Sequence, residues 1–209
     1  MKEIINPILR CPKLAGIQPI YDKNCELLML GSITATDGMN KGFYYASNKN
    51  QLWQLLDLSL NTSCFSDLKH ELKINYENFK RDKISNLQFE QQKELIKQRF
   101  SHELLTRKIA MCDVFTECYF NNNSSMDVDI ILNNTNYPYK TSKETLQNIL
   151  NNSNIKTIVV NSKFVEIQLK KLKLVGDFVV KYVISPSPRR GSIDKKIDSW
   201  KQVFDSIYK

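Results

Sequence analysis

Four short apolar runs, separated by stretches of helical periodicity, limit what this chain can fold into. They are Leu27-Leu28-Met29-Leu30, which stops at Gly31, then Ile109 to Val114, Ile158-Val159-Val160, and Phe178 to Ile184. A strand buried on both faces reads as a continuous apolar run, because neither side meets water. Between the runs lie amphipathic segments. Asn50 to Leu60 carries Trp53, Leu56 and Leu60 on one side, and Ile84 to Arg107 spaces Ile96, Phe100 and Leu104 four apart. Thr141 and Glu144 have the spacing of a capping box for a helix through Leu146, Ile149 and Leu150. Phe164 to Leu172 supplies another helix, and Ile193, Ile197, Trp200, Phe204 and Ile207 form one face of the last. This alternation predicts an α/β protein with a parallel sheet covered on both sides. Ligands bind such sheets at the carboxyl ends of the strands, so Gly31 to Asn50, Asp113 to Asp129 and Ser185 to Gly191 are the segments expected to carry chemistry.

Composition narrows the function. A chain of 209 residues suits a single domain, expected over 1–209. No apolar stretch approaches the roughly 18 residues of a membrane-spanning helix, and the first residues lack the pattern of a secretory signal. The 5 cysteines are odd in number and contain no CxxC, so reduced, mostly buried thiols and an intracellular location are expected. With only 2 histidines, Cys and His are too scattered for a zinc or iron–sulfur site; no metal or other cofactor is expected. The net charge of +8 suits a polyanionic partner such as nucleic acid, or an anionic membrane surface, and equally a plain basic protein.

Two of the three strand-end segments are distinctive. The first runs Gly31-Ser32-Ile33-Thr34-Ala35-Thr36-Asp37-Gly38-Met39-Asn40-Lys41-Gly42-Phe43-Tyr44-Tyr45-Ala46-Ser47-Asn48-Lys49-Asn50-Gln51-Leu52-Trp53. It resembles motif 1 of the uracil-DNA glycosylase superfamily, nearest its hypoxanthine-DNA glycosylase and mismatch-specific branches. Ser185-Pro186-Ser187-Pro188-Arg189-Arg190 is similar to the superfamily's motif 2, a Ser/Pro loop after the last strand. Asp113-Val114 followed by Ser124-Ser125-Met126-Asp127 resembles a third stretch of the same branches, and Pro19-Ile20-Tyr21-Asp22 before the first strand also fits. The resemblance runs from about Gly16 to Phe204, with its motifs in order.

The resemblance implies a three-layer α/β/α domain around a four-stranded, mainly parallel sheet, acting on DNA as a monomer. A base-excising enzyme flips a nucleotide into a pocket and lets water attack the sugar. Gly31 and Ser32 would line that pocket. Tyr45 would stack on the extruded base, or is a core tyrosine. Asn50 would position the water, or caps the helix that follows it. Asp113 would bond the base or a water, or caps a turn. Ser185 stands where uracil-removing relatives carry a catalytic histidine. Ser187 and Pro188 would pinch the phosphate backbone, Arg189 would wedge the duplex, and Arg190 would lie on phosphate; the alternative is a solvated turn. Lys195, Lys196 and Lys201 extend this basic stretch along the next helix. Departures are Ile33, where many relatives place a water-activating Asp or Asn, and Thr34 and Ala35, which replace the branch's usual residues.

The expected function is a monofunctional DNA glycosylase removing a deaminated base, hypoxanthine or uracil. Ile33, Thr34, Ala35 and Ser185 point instead to a binding-only relative, and a pocket for a free nucleoside is a third reading.

Overall fold

The computed structural model describes residues 13–34, 36–119 and 139–208. Its strands are β1 (Lys13–Ala15), β2 (Leu27–Gly31), β3 (Ile109–Asp113), β4 (Phe115–Tyr119), β5 (Tyr139–Thr141), β6 (Thr157–Val160) and β7 (Val179–Tyr182). Its helices are α1 (Thr36–Lys41), α2 (Leu52–Leu60), α3 (Cys64–Lys80), α4 (Asn86–Thr106), α5 (Lys143–Asn151), α6 (Lys163–Leu172) and α7 (Asp194–Tyr208). A 3-10 turn spans Pro188–Arg190.

The four apolar runs form one parallel sheet in the order β3-β2-β6-β7. Side chains alternate across a strand, so each run feeds two cores. Leu28, Leu30, Ala110, Cys112, Ile158 and Val160 face Leu146 and Ile149 of α5 and Val165, Leu169 and Leu172 of α6. Leu27, Met29, Ile109, Met111 and Val159 face the other way, onto Trp53, Phe65, Phe100, Trp200 and Phe204. Helices therefore cover both faces, in three layers. Each fully buried aliphatic side chain contributes about 1.5–3 kcal/mol, which is why uninterrupted apolar strands settle here.

Three expectations need correction. The fourth run is an edge strand, not a buried one: Val179, Val180 and Tyr182 are 55%, 41% and 41% exposed, since among the described residues no strand pairs beyond it. Thr141 does not cap α5; the cap position is the next residue, Ser142, which makes no side-chain cap bond. The capping box belongs to α4, where Ser85 and Gln88 satisfy each other's backbone N–H. A second sheet, β1-β4-β5, is antiparallel and was not anticipated, because β1 and β5 are three residues each and β5 is exposed throughout.

Helix α3 was also missed. Its buried residues are Phe65, Leu68, Leu72 and Asn75, a thin stripe in a polar segment. Its start is capped from outside. The buried Asp57 of α2 accepts from Phe65 N (3.1 Å) and Ser66 N (2.7 Å), while Ser63 at the cap position makes no cap bond. Asp57 thus satisfies two of the orphan donors of the first turn.

Candidate active site

The carboxyl ends of the parallel strands bring four side chains and one glycine together. Gly31 ends β2, paired in register with Asp113 at the end of β3. A Cβ on Gly31 would lie 2.5 Å from Asp113 Oδ1 and 2.6 Å from the Tyr45 hydroxyl, so only glycine admits both groups. The buried Asp113 carboxylate accepts from Thr34 N at 2.8 Å and from Thr34 Oγ1 at 3.1 Å. Thr34, a departure from the branch pattern, therefore fixes the acid with both its donors. Ser32 is half-buried beside them, and Ile33 is in the core at 6% exposure.

Tyr44 and Tyr45 differ in burial, although both pack against the same core. Tyr44 is the core residue, 1% exposed, with its hydroxyl donating toward Ile17 O (3.0 Å) and Gln18 O (3.2 Å). Burial first, and the Asp113 carboxylate second, raise its hydroxyl pKa well above the ordinary value. Tyr45 is half-buried, in the left-handed region at φ 50°, and its hydroxyl accepts from Asn161 Nδ2 at 2.7 Å. Asn161 is the first residue after β6, one position past the Leu30–Val160 pair and level with Gly31. It was not among the expected site residues. The signal was present: it is the residue immediately after an apolar run, where such sheets place their ligands.

Asn50 lies where chain and loop meet. Its Oδ1 accepts from Leu52 N at 2.9 Å and so satisfies the first N–H of α2 from one residue ahead of the cap position, Gln51, which makes no side-chain cap bond. Its backbone oxygen accepts from Lys69 Nζ. The next residue, Gln51, donates its N–H to Pro186 O at 3.0 Å, which sets the start of α2 against the Ser/Pro loop. In that loop Pro186 is buried, Ser185 Oγ accepts from Ser187 N at 3.3 Å, and Pro188, Arg189 and Arg190 are exposed. Gly191 at φ 105° ends the turn. Lys195 and Lys201 are exposed on α7, but Lys196 is fully buried, so it does not belong to the expected basic surface. Its side chain is turned inward by two carbonyl oxygens rather than outward to solvent.

Ser124 to Asp127 lie outside the described residues. Cys25, Cys112 and Cys118 are buried free thiols; burial pushes Cys25 up to about 11 and Cys118 up to about 12. Among the described residues no group of three His, Cys, Asp or Glu side chains is placed to hold a metal, and no helix is long and apolar enough to cross a membrane.

No protein-family model matches the chain, and no curated protein matches it. Its backbone is similar to the solution NMR structure of a Methanosarcina acetivorans protein described as a "putative Uracil DNA glycosylase". The TM-score is 0.56 at 16% identity, covering 95% of this chain and all of that one. The chain has that fold. On a uracil-DNA glycosylase-like fold, the strand-end cluster of Gly31, Tyr45, Asp113 and Asn161 faces the same side as the Ser/Pro loop after β7. Fold alone does not assign an activity.

Proposed function

We propose that this chain, as one domain over residues 1–209, is a monofunctional DNA N-glycosylase that removes a flipped, deaminated base. The observation that carries the reading is the juxtaposition at the sheet's carboxyl edge. A glycine without steric bulk, a half-buried tyrosine, a fixed carboxylate and an amide stand at the same end of the sheet from which the loop bearing exposed Arg189 and Arg190 leaves β7. Base excision needs a polar pocket for the base edge and a cationic loop for the backbone.

Asn161 sharpens the substrate class. One amide hydrogen is spent on Tyr45, so its carbonyl oxygen is left to accept from a ring N–H. Hypoxanthine and uracil carry an N–H at the ring position where adenine and cytosine carry a lone pair. A site built to accept from that N–H disfavours adenine and cytosine, the parents of the two deaminated bases; guanine and thymine carry the same N–H and are separated by their other substituents. Tyr45 stacks on or edges the base, and Ser185 donates to it. Asn50 keeps one lone pair of Oδ1 for a water aimed at the sugar C1′. Attack forms the C1′–O bond as the C1′–N bond breaks; the attacking water gives up one proton to solvent, and the base leaves with the electron pair and takes a proton from solvent. Ser187, Pro188, Arg189 and Arg190 engage the phosphate backbone. The protein works on DNA as a monomer inside the cell, with no metal or other cofactor and no membrane partner.

A binding-only homologue is the second reading. It is favoured by the Asn50 oxygen already capping Leu52 and by Ile33 lying in the core. Base release from oligonucleotides with a single uracil, hypoxanthine, xanthine or mismatched thymine, in single- and double-stranded form, separates the two. Abasic product from the wild type establishes the glycosylase and names its base. Salt-sensitive DNA binding with no product from any substrate establishes the binding-only protein.

A further inference from the structure

One buried ammonium joins the start of α2 to the Ser/Pro loop after β7. Lys196 sits on α7 at 0% exposure, and its Nζ donates to Ser187 O at 2.7 Å and to Gln51 Oε1 at 2.5 Å. Both acceptors are neutral oxygens. The same two segments meet through Gln51 N and Pro186 O. Helix α7 holds the approach to the loop as well: Trp200 Nε1 donates to Ile184 O at 2.9 Å, and Ser199 Oγ accepts from Ile184 N at 3.2 Å. Lys196 extends that hold past the strand end, to the point where the loop turns outward toward Arg189.

Burying an ammonium without a carboxylate is costly, and an apolar residue of similar length fills such a space at less cost. Burial lowers the pKa of this lysine, the mark of a charge held out of water. What the ammonium supplies that a methionine cannot is a pair of directed donors. One reaches the segment carrying Asn50, the other the loop carrying Ser185 and Ser187.

We propose that Lys196 is a positioning residue that couples the Asn50–Gln51 segment to the Ser185–Arg190 loop, so that the two sides of the cleft are held at one spacing. The coupling is a property of the free protein. Its consequence for DNA rests on the reading of the loop as the backbone-contacting element.

The test compares Lys196→Met, Lys196→Arg and Gln51→Ala with the wild type. Hydrogen exchange is measured on the free proteins, and binding of a duplex carrying a hypoxanthine is measured at two salt concentrations. In Lys196→Met, exchange at the Gln51 amide rises about tenfold and the duplex binds about tenfold more weakly, the loss expected for a charge-assisted bond. Exchange at Leu28 and Val159, in the core of the sheet, is unchanged. Lys196→Arg, which keeps a cation and its donors, restores most of both. Should Lys196→Met not fold, Gln51→Ala removes one arm with the lysine retained, and a smaller rise in exchange at Gln51 is expected. Unchanged exchange at Gln51 in a folded Lys196→Met, or in Gln51→Ala, overturns the coupling whatever the DNA result. Raised exchange with unchanged duplex affinity keeps the coupling and removes the loop from DNA contact, which is a failure of the functional reading instead.

Discussion

Asn161 and Tyr45, 116 positions apart in sequence, meet at the carboxyl edge of the sheet through a 2.7 Å hydrogen bond from amide to phenol oxygen. The bond orients the amide, because a side chain that donates on one side must present its oxygen on the other. Tyr45→Phe removes the acceptor and frees the amide to rotate. The expected loss of stability is about 1 kcal/mol. If this amide reads the base, the larger effect is on selectivity: the ratio of binding to hypoxanthine or uracil oligonucleotides over the matched adenine or cytosine ones falls. Unaltered selectivity would remove Asn161 from base recognition.

Asn50 carries two roles that substitution can separate. Asn50→Ala loses the cap on Leu52 N, at about 1 kcal/mol, and also loses the amide. Asn50→Ser keeps a capping oxygen and should melt close to the wild type. If Asn50 positions water, both variants lose base release by roughly 10²-fold or more. If it only caps, Asn50→Ser stays active. Thermal melting and product release on the same samples decide it.

Gly31→Ala tests the close approach at the strand end. A methyl group there would sit 2.5 Å from Asp113 Oδ1 and 2.6 Å from the Tyr45 hydroxyl, so both groups must move. Overpacking of this kind costs about 1–3 kcal/mol, and ligand affinity should fall further than stability. A variant with wild-type melting and wild-type DNA affinity would show that the cluster adapts.

Asp57 predicts a pH dependence. Burial is the largest influence and raises its carboxyl above the ordinary value, although Ser66 and Phe65 N–H groups pull the other way. The folded chain therefore takes up this proton at a higher pH than the unfolded chain. The contribution of Asp57 to stability is fully present below the unfolded pKa and declines as the pH rises through the folded one. Relative to Asp57→Asn, the wild type should melt progressively lower as the pH is raised from about 4 to about 7. The opposite trend would mean that the two N–H donors outweigh desolvation.

Strands and most helices were legible in the sequence because their cause is local. Leu27 to Leu30 and Ile158 to Val160 can only be buried on both faces, and the spacing of Ile193 to Ile207 can only be one side of a helix. The same local reasoning pointed to Gly31, Asp113 and the Ser185–Arg190 loop as strand-end residues. It failed where the deciding partner is distant. Nothing around Phe178 to Ile184 reveals that this run lies at the sheet's edge, since that depends on no further strand among the described residues pairing with it.

Polar side chains were decided by the tertiary structure alone. Sequence determined that Lys196 is a cation next to other cations; only folding placed it inside, because Gln51 and Ser187 converge on it from two different elements. Asp57 caps a helix it does not belong to, and Asn161 acquires its orientation from Tyr45. An apolar residue is buried by its own chemistry and needs only some neighbour. A polar one is buried only if particular partners satisfy it, and the fold alone brings those partners within reach.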